Sequence, residues 1–206
     1  MLRHIKYIFA FIFISFVMVI IAGASIYYTL APQLPATESL KETQLQTPLR
    51  IFSSENKLIA EFGDKRRIPM SYEQIPEQVI YAFLASEDDR FFEHPGVDYQ
   101  GLIRAAYSLA TTGKKAQGGS TITMQLARNF FLTTEKTYLR KLNEIILAIQ
   151  IEQVLTKQEI LELYLNKIYL GKRAYGIGAA AQVYYGKTLP ELTLPEAAMI
   201  AGLPKA

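Results

Sequence analysis

The sequence predicts a mainly α-helical domain preceded by a single N-terminal transmembrane helix. Three observations support this. An uncharged apolar run covers Tyr7 to Leu30. From Ile75 onward, apolar residues recur at the three- and four-residue spacing of helix faces. Two Thr-x-x-Glu boxes, at Thr156 and Thr193, mark helix starts in the second half.

The first run reads YIFAFIFISFVMVIIAGASIYYTL. As a helix it would extend about 36 Å, against a bilayer core of about 30 Å. Residues 1–6 form a short tail carrying Arg3, His4 and Lys6, and the first acidic residue after the run is Glu38. The positive-inside rule therefore places the tail in the cytoplasm and the rest of the chain outside. The alternative is a cleaved signal peptide with Ala22-Gly23-Ala24 as its small-residue site. Against it, a signal's apolar region runs about 7–15 residues, and here the run continues through Ile26, Tyr27 and Tyr28.

Residues 31–48, with three prolines and many polar side chains, read as a linker. Leu49 to Phe62 holds two short apolar runs around Ser-Ser-Glu-Asn, the pattern of a hairpin. Ile75, Val79, Ile80, Phe83 and Leu84 then form one helix face, with Pro76 in the first turn where it is tolerated. Leu139, Leu142, Ile146 and Ile149 mark a second helix. The Thr156 box opens a third, expected to end near Gly171, and the Thr193 box opens a last one over Ala197 to Ala201.

Composition narrows the chemistry. The net charge of +3 lacks the clustered basic excess of a nucleic-acid binder. With no cysteine and only His4 and His94, thiolate chemistry, disulfides and multi-histidine metal sites are excluded.

Three polar constellations remain. In Glu87-Asp88-Asp89-Arg90-Phe91-Phe92-Glu93-His94-Pro95-Gly96, Glu87 continues the apolar face of Ile80 and Phe83. A carboxylate there is partly withdrawn from water, which makes it a better base. The plainer alternative is an exposed acidic helix end. Acidic groups at a helix C-terminus oppose the macrodipole, so their placement calls for a reason. In Gly118-Gly119-Ser120-Thr121, glycines run into residues that cap helices, and a helix start of this kind suits an anion. An ordinary loop-to-helix junction has the same pattern. Gln125, Arg128 and Asn129 follow on that helix, Gln125 and Arg128 at helical spacing. Arg140, Lys141 and Glu144 share a helix face. They sit where an all-round apolar stretch, Ile145 to Ile151, emerges. Two cations beside one carboxylate suit a diphosphate, although surface ion-pair clusters also look like this.

Two lookalikes carry no function. Gly176-x-Gly178-x-x-Ala181 resembles a dinucleotide fingerprint but follows a helix and a loop, so small residues for close packing explain it better. Ser54-x-x-Lys57 resembles a penicillin-site nucleophile motif but falls in the hairpin turn without its partner motifs.

Taken in order, EDDRFFEHPG, GGSTITMQLARN, RKLNE, ILELYLNKIYLG with RAYGIGAAAQVYYGK, and LTLPEAAMIAGLPKA resemble the five motifs of the peptidoglycan glycosyltransferases, family 51. With the anchor and linker, they resemble the N-terminal part of bifunctional class A penicillin-binding proteins. The resemblance implies a lysozyme-like fold over residues 49–206, with a large head lobe and a smaller membrane-facing lobe. A transpeptidase domain is expected to follow in such proteins and to be absent from this chain. The implied reaction polymerises lipid II into β-1,4 glycan strands, with inversion at a lipid diphosphate donor. Glu87 would be the general base and Glu144 would assist near the diphosphate. Asp88, Phe91, His94, Ser120, Thr121, Gln125, Arg128, Asn129, Arg140 and Lys141 would bind substrate. The resemblance leaves room for a divalent ion, magnesium or manganese, and implies no organic cofactor. The implied partners are lipid II, the growing lipid-linked glycan chain, the bacterial inner membrane, outer-membrane lipoprotein activators and other cell-wall synthesis proteins, with no nucleic acid. Phosphoglycolipid inhibitors such as moenomycin would mimic the donor. The segment Tyr107 to Ala116 is expected as a mobile loop over the acceptor.

Two rival readings stand beside this one. A membrane-anchored lytic enzyme would share the fold and a catalytic glutamate but has no need of the Arg/Lys cluster. A non-catalytic membrane scaffold needs none of the polar constellations.

The uncleaved anchor has a direct check. The mature protein should need detergent for extraction, and its mass should include the residues before Ala24. An N-terminus at Ser25 would contradict the anchor.

Overall fold

In a computed structural model describing residues 2–43, 45–55, 57–63, 66–113, 119–133, 135 and 137–205, the uncharged run lies inside helix α1 (Leu2–Leu30). The stretch Phe9–Gln33 is long and apolar enough to cross a membrane, and none of it is buried. A short 3-10 turn, Ala31–Gln33, with proline in its first turn, follows α1. These elements belong to one unit, Met1–Ala36, and Thr37–Ala206 forms another.

The second unit begins inside the segment expected as linker. Thr37–Leu40 is a 3-10 turn, and Leu40 is only 2% exposed. The turn packs on α5 (Tyr138–Val154). Strands β1 (Leu49–Phe52) and β2 (Leu58–Phe62) then form the expected antiparallel hairpin, with Leu49 opposite Phe62 and an irregularity at Ile51/Phe52. Ser54 and Lys57 lie at its turn, where Lys57 Nζ is 2.9 Å from Glu55 in an exposed ion pair.

The core is helical. Helix α2 (Glu77–Glu87) buries Val79, Ile80, Phe83 and Leu84, the face read from the sequence, and packs on α8 (Leu194–Gly202). Helix α4 (Ile122–Phe131) packs on both α5 and α6 (Lys157–Lys167). Leu126, Leu147, Ile151, Ile160 and Leu161 are fully buried among these helices. Both Thr-x-x-Glu boxes form, with each glutamate accepting from the threonine backbone N–H. Burial of this apolar surface, at about 25 cal/mol per Å², drives assembly, and the caps fix where each helix begins.

Two boundaries differ from expectation. Helix α6 ends at Lys167 rather than near Gly171. Ile168 leaves the helix, and the chain turns back through Lys172 and Arg173, both at positive φ, so that Gly176 N–H donates to Ile168 O at 2.7 Å. The expected loop over Tyr107 to Ala116 is helical up to Thr112, the end of α3 (Tyr99–Thr112). Its residues 114–116 lie outside the described residues.

Helix α7 (Ile177–Tyr185) starts at Gly176, whose φ is +84°. A Cβ there would lie 2.7 Å from Asn166 O, and one at Gly178 would lie 2.6 Å from Ile68 O. Close packing accounts for this glycine pattern. Gly176→Ala should therefore lower stability by about 2–4 kcal/mol, from backbone strain plus overpacking. Gly186→Ala, at φ +67° with nothing near its Cβ position, should cost only about 1–2 kcal/mol. Thermal melts of the two variants check this, and equal losses would contradict the packing role of Gly176.

Candidate active site

The polar constellations meet around the first turns of α4. Asp88 follows the last residue of α2 and is 8% exposed. Its Oδ2 accepts the Ile122 N–H at 2.9 Å, and its Oδ1 lies 2.9 Å from His94 Nε2. A carboxylate at a helix N-terminus is favoured by the exposed N–H groups and the dipole. The acidic end of α2 is thus explained, since Asp88 serves the start of α4. It also means that the anion expected at this helix start is supplied from within the chain. Thr121, the N-cap, accepts from Met124 N–H at 3.2 Å and donates to Gly96 O at 2.5 Å.

This junction sets Glu87. It is half-buried at the end of α2, and its Oε2 accepts from Gln125 Nε2 at 2.8 Å. Gln125 lies on α4 one turn inward, and its Oε1 accepts from the Tyr164 hydroxyl of α6 at 3.3 Å. Burial, then the charge of Glu87, hold the Tyr164 phenol well above its usual range. In front of Glu87 opens a cleft of about 370 Å³. Its wall includes Asp89, Asp98, Arg104, Ser120 and Thr121. Asp98 is ion-paired with Arg90 and accepts the Gly101 N–H at 2.9 Å.

A second group lies on α5. Glu144 is 1% exposed and takes both Arg140 and Lys141, the latter at 3.0 Å. Lys141 also donates to Ser120 Oγ. Ser120 therefore links this cation cluster to the cleft that Glu87 lines. Burial, reinforced by the charges of Arg128 and Arg140, lowers the Lys141 ammonium to about 8. The cluster holds more positive than negative charge, a ready place for an anion.

Not every expected residue reaches this site. Phe91 is fully buried, with Lys157 Nζ 4.4 Å from its ring centre. His94 is buried against Asp88, and its carbonyl accepts from Lys157 at 2.7 Å. Both brace the loop behind the cleft. Gln125 stands behind Glu87, and Asn129 is half-exposed in the last part of α4, outside the cleft lining. Sequence reading missed Tyr164, Asp98 and Arg104. The first looks like a core aromatic by spacing, and Asp98 and Arg104 lie just before and on a helix that was not anticipated. Among the described residues, no three carboxylate or imidazole groups converge as a metal site. Glu144 is already engaged by two cations and Asp88 by His94 and a backbone N–H. These two carboxylates are therefore taken up by partners within the protein.

A family model described as Transglycosylase matches residues 55–206. Penicillin-binding protein 1A of Escherichia coli (strain K12) is 55% identical over 208 residues, covering 100% of this chain and 24% of that protein. Penicillin-binding protein 1A of Vibrio cholerae is 52% identical, covering 100% and 25%. The Pseudomonas aeruginosa protein of the same name is 57% identical, covering 91% and 23%. The chain thus spans about a quarter of the length of these relatives.

The lowered lysine gives a pH signature. With its ammonium lowered to about 8, Lys141 loses most of its charge as pH rises from 7 to 9, so affinity for a small anion should fall across that range. Sulfate is a suitable probe because its own charge is constant there. NMR titration should show this fall in the wild type and a flat profile in Lys141→Arg. A pH-independent wild-type affinity would contradict the placement of Lys141 at an anion site.

Proposed function

This chain belongs to the transglycosylase family, and from that premise we propose that it is a peptidoglycan glycosyltransferase that polymerises lipid II into β-1,4 glycan strands. The observation that carries the reading is the Lys141–Ser120 contact. It ties the cation cluster to Ser120, which lines the same cleft as Glu87.

In the proposed reaction, Glu87 accepts the proton from the 4-hydroxyl of the acceptor sugar. That oxygen forms a bond to the anomeric carbon of the donor with inversion, and the bond to the lipid diphosphate breaks. The departing oxygen gains negative charge, which Arg140, Lys141 and Arg128 offset. Glu144 holds the first two in place, a role suited to a carboxylate that is itself almost fully buried. The proposed scheme shares the logic of inverting sugar chemistry, with a sugar hydroxyl in place of water. A divalent ion would enter with the substrate diphosphate, as such ions commonly do. The apolar stretch of α1 fits a single-pass anchor in the inner membrane, with the tail cytoplasmic and the catalytic domain outside. The cation cluster favours this reading over glycan cleavage, which releases no diphosphate.

Glu87→Gln keeps the size and hydrogen-bonding capacity of the side chain but removes the base. Polymerisation should fall by about two to four orders of magnitude, while affinity for a phosphoglycolipid inhibitor is retained. The thermal midpoint should hold or rise, because a partly desolvated charge is gone. A folded variant that polymerises at a near wild-type rate would show that another group is the base.

A further inference from the structure

Tyr164 is fully buried on α6, with its ring set edge-on to Phe83 at 6.4 Å between centroids. Phe83 lies one turn before Glu87 on α2. A buried phenol needs a hydrogen-bond partner, and this one finds it in Gln125, itself only 7% exposed. Gln125 passes the contact on to Glu87 at 2.8 Å. We propose that Tyr164 is a positioning residue for the glycosyl transfer, acting through Gln125 to hold the Glu87 carboxylate toward the cleft. The inference rests on the reading of Glu87 as the acceptor base.

The direction of the two bonds follows from chemistry. A carboxylate only accepts, so the Gln125 amide must turn its NH₂ toward Glu87. Its carbonyl oxygen then faces into the core, where an unpaired acceptor is costly. The Tyr164 hydroxyl supplies the missing donor, and the raised phenol keeps its proton throughout the working range. A flipped amide would set its oxygen against the carboxylate oxygens. The Tyr164 bond therefore locks the one amide orientation that an ionised Glu87 can use. Proton abstraction depends on such alignment, and small displacements of a reacting group can cost about a hundredfold in rate.

Tyr164→Phe removes one oxygen and leaves the ring against Phe83. In a polymerisation assay of the chain in detergent, kcat should fall about tenfold to a hundredfold, with KM changing less than about twofold. In a Glu87→Gln background the same substitution should leave the residual rate unchanged, because its effect runs through Glu87. Gln125→Met should show a similar loss of kcat, with no further loss when Tyr164→Phe is added. Melting curves on each preparation separate this from loss of fold. The Gln125 side-chain ¹H–¹⁵N signal gives a readout independent of activity. It should shift in both Glu87→Gln and Tyr164→Phe. Wild-type kcat in Tyr164→Phe, an equal loss in both Glu87 backgrounds, or an unmoved amide signal would overturn the relay. If the wild-type chain forms no polymer, the functional reading fails, and the amide signal alone decides the relay.

Discussion

The site depends on one bond pair, the Asp88 carboxylate shared between the Ile122 N–H and His94. It fastens the end of α2 to the beginning of α4. Because Glu87 precedes Asp88, the same fastening brings Glu87 beside Gln125, one turn into α4. The residues around Asp88 keep this junction in place. Thr121 closes onto Gly96, Lys157 onto the His94 carbonyl, and Phe91 fills the space beneath. Leaving a buried hydrogen-bonding group without its partner is costly, typically about 1–3 kcal/mol, so the junction is both a structural clamp and the ruler that sets Glu87.

Helix α5 imposes the complementary constraint. A carboxylate as buried as Glu144 is tolerable only when paired, and its two cations come from its own helix, one turn earlier. Arg128 adds a third positive charge from α4, and burial first, then the charges of Arg128 and Arg140, lower the Lys141 ammonium. An anion placed among these cations would relieve the repulsion. Glu87 and the cation cluster are held by different helices, and both reach the N-terminal end of α4, through Gln125 in its first turn and Ser120 just before its cap.

Much of this was legible in the sequence. Apolar spacing in α2, the Thr156 and Thr193 boxes, the hairpin runs, and the shared face of Arg140, Lys141 and Glu144 are local patterns, and local patterns survive folding. The parts that were not legible depend on contacts distant in sequence. Nothing near Asp88 announces that its partner is the backbone of Ile122, 34 residues away. Phe91 and His94 stand inside a polar motif yet point into the core. Tyr164 has the spacing of a core aromatic, and only the fold places its hydroxyl beside Gln125. The end of α6 was missed because the chain leaves the helix at Ile168, ahead of the glycine that usually signals a stop.

The proposed reaction joins a base and a diphosphate site across one reacting bond, and product stoichiometry tests it most directly. The chain would be incubated in detergent with lipid-linked disaccharide and, separately, with purified glycan strands. The account predicts one lipid diphosphate released for each glycosidic bond formed, and no cleavage of the strands. Strand cleavage, or bond formation without matching lipid diphosphate release, would contradict it.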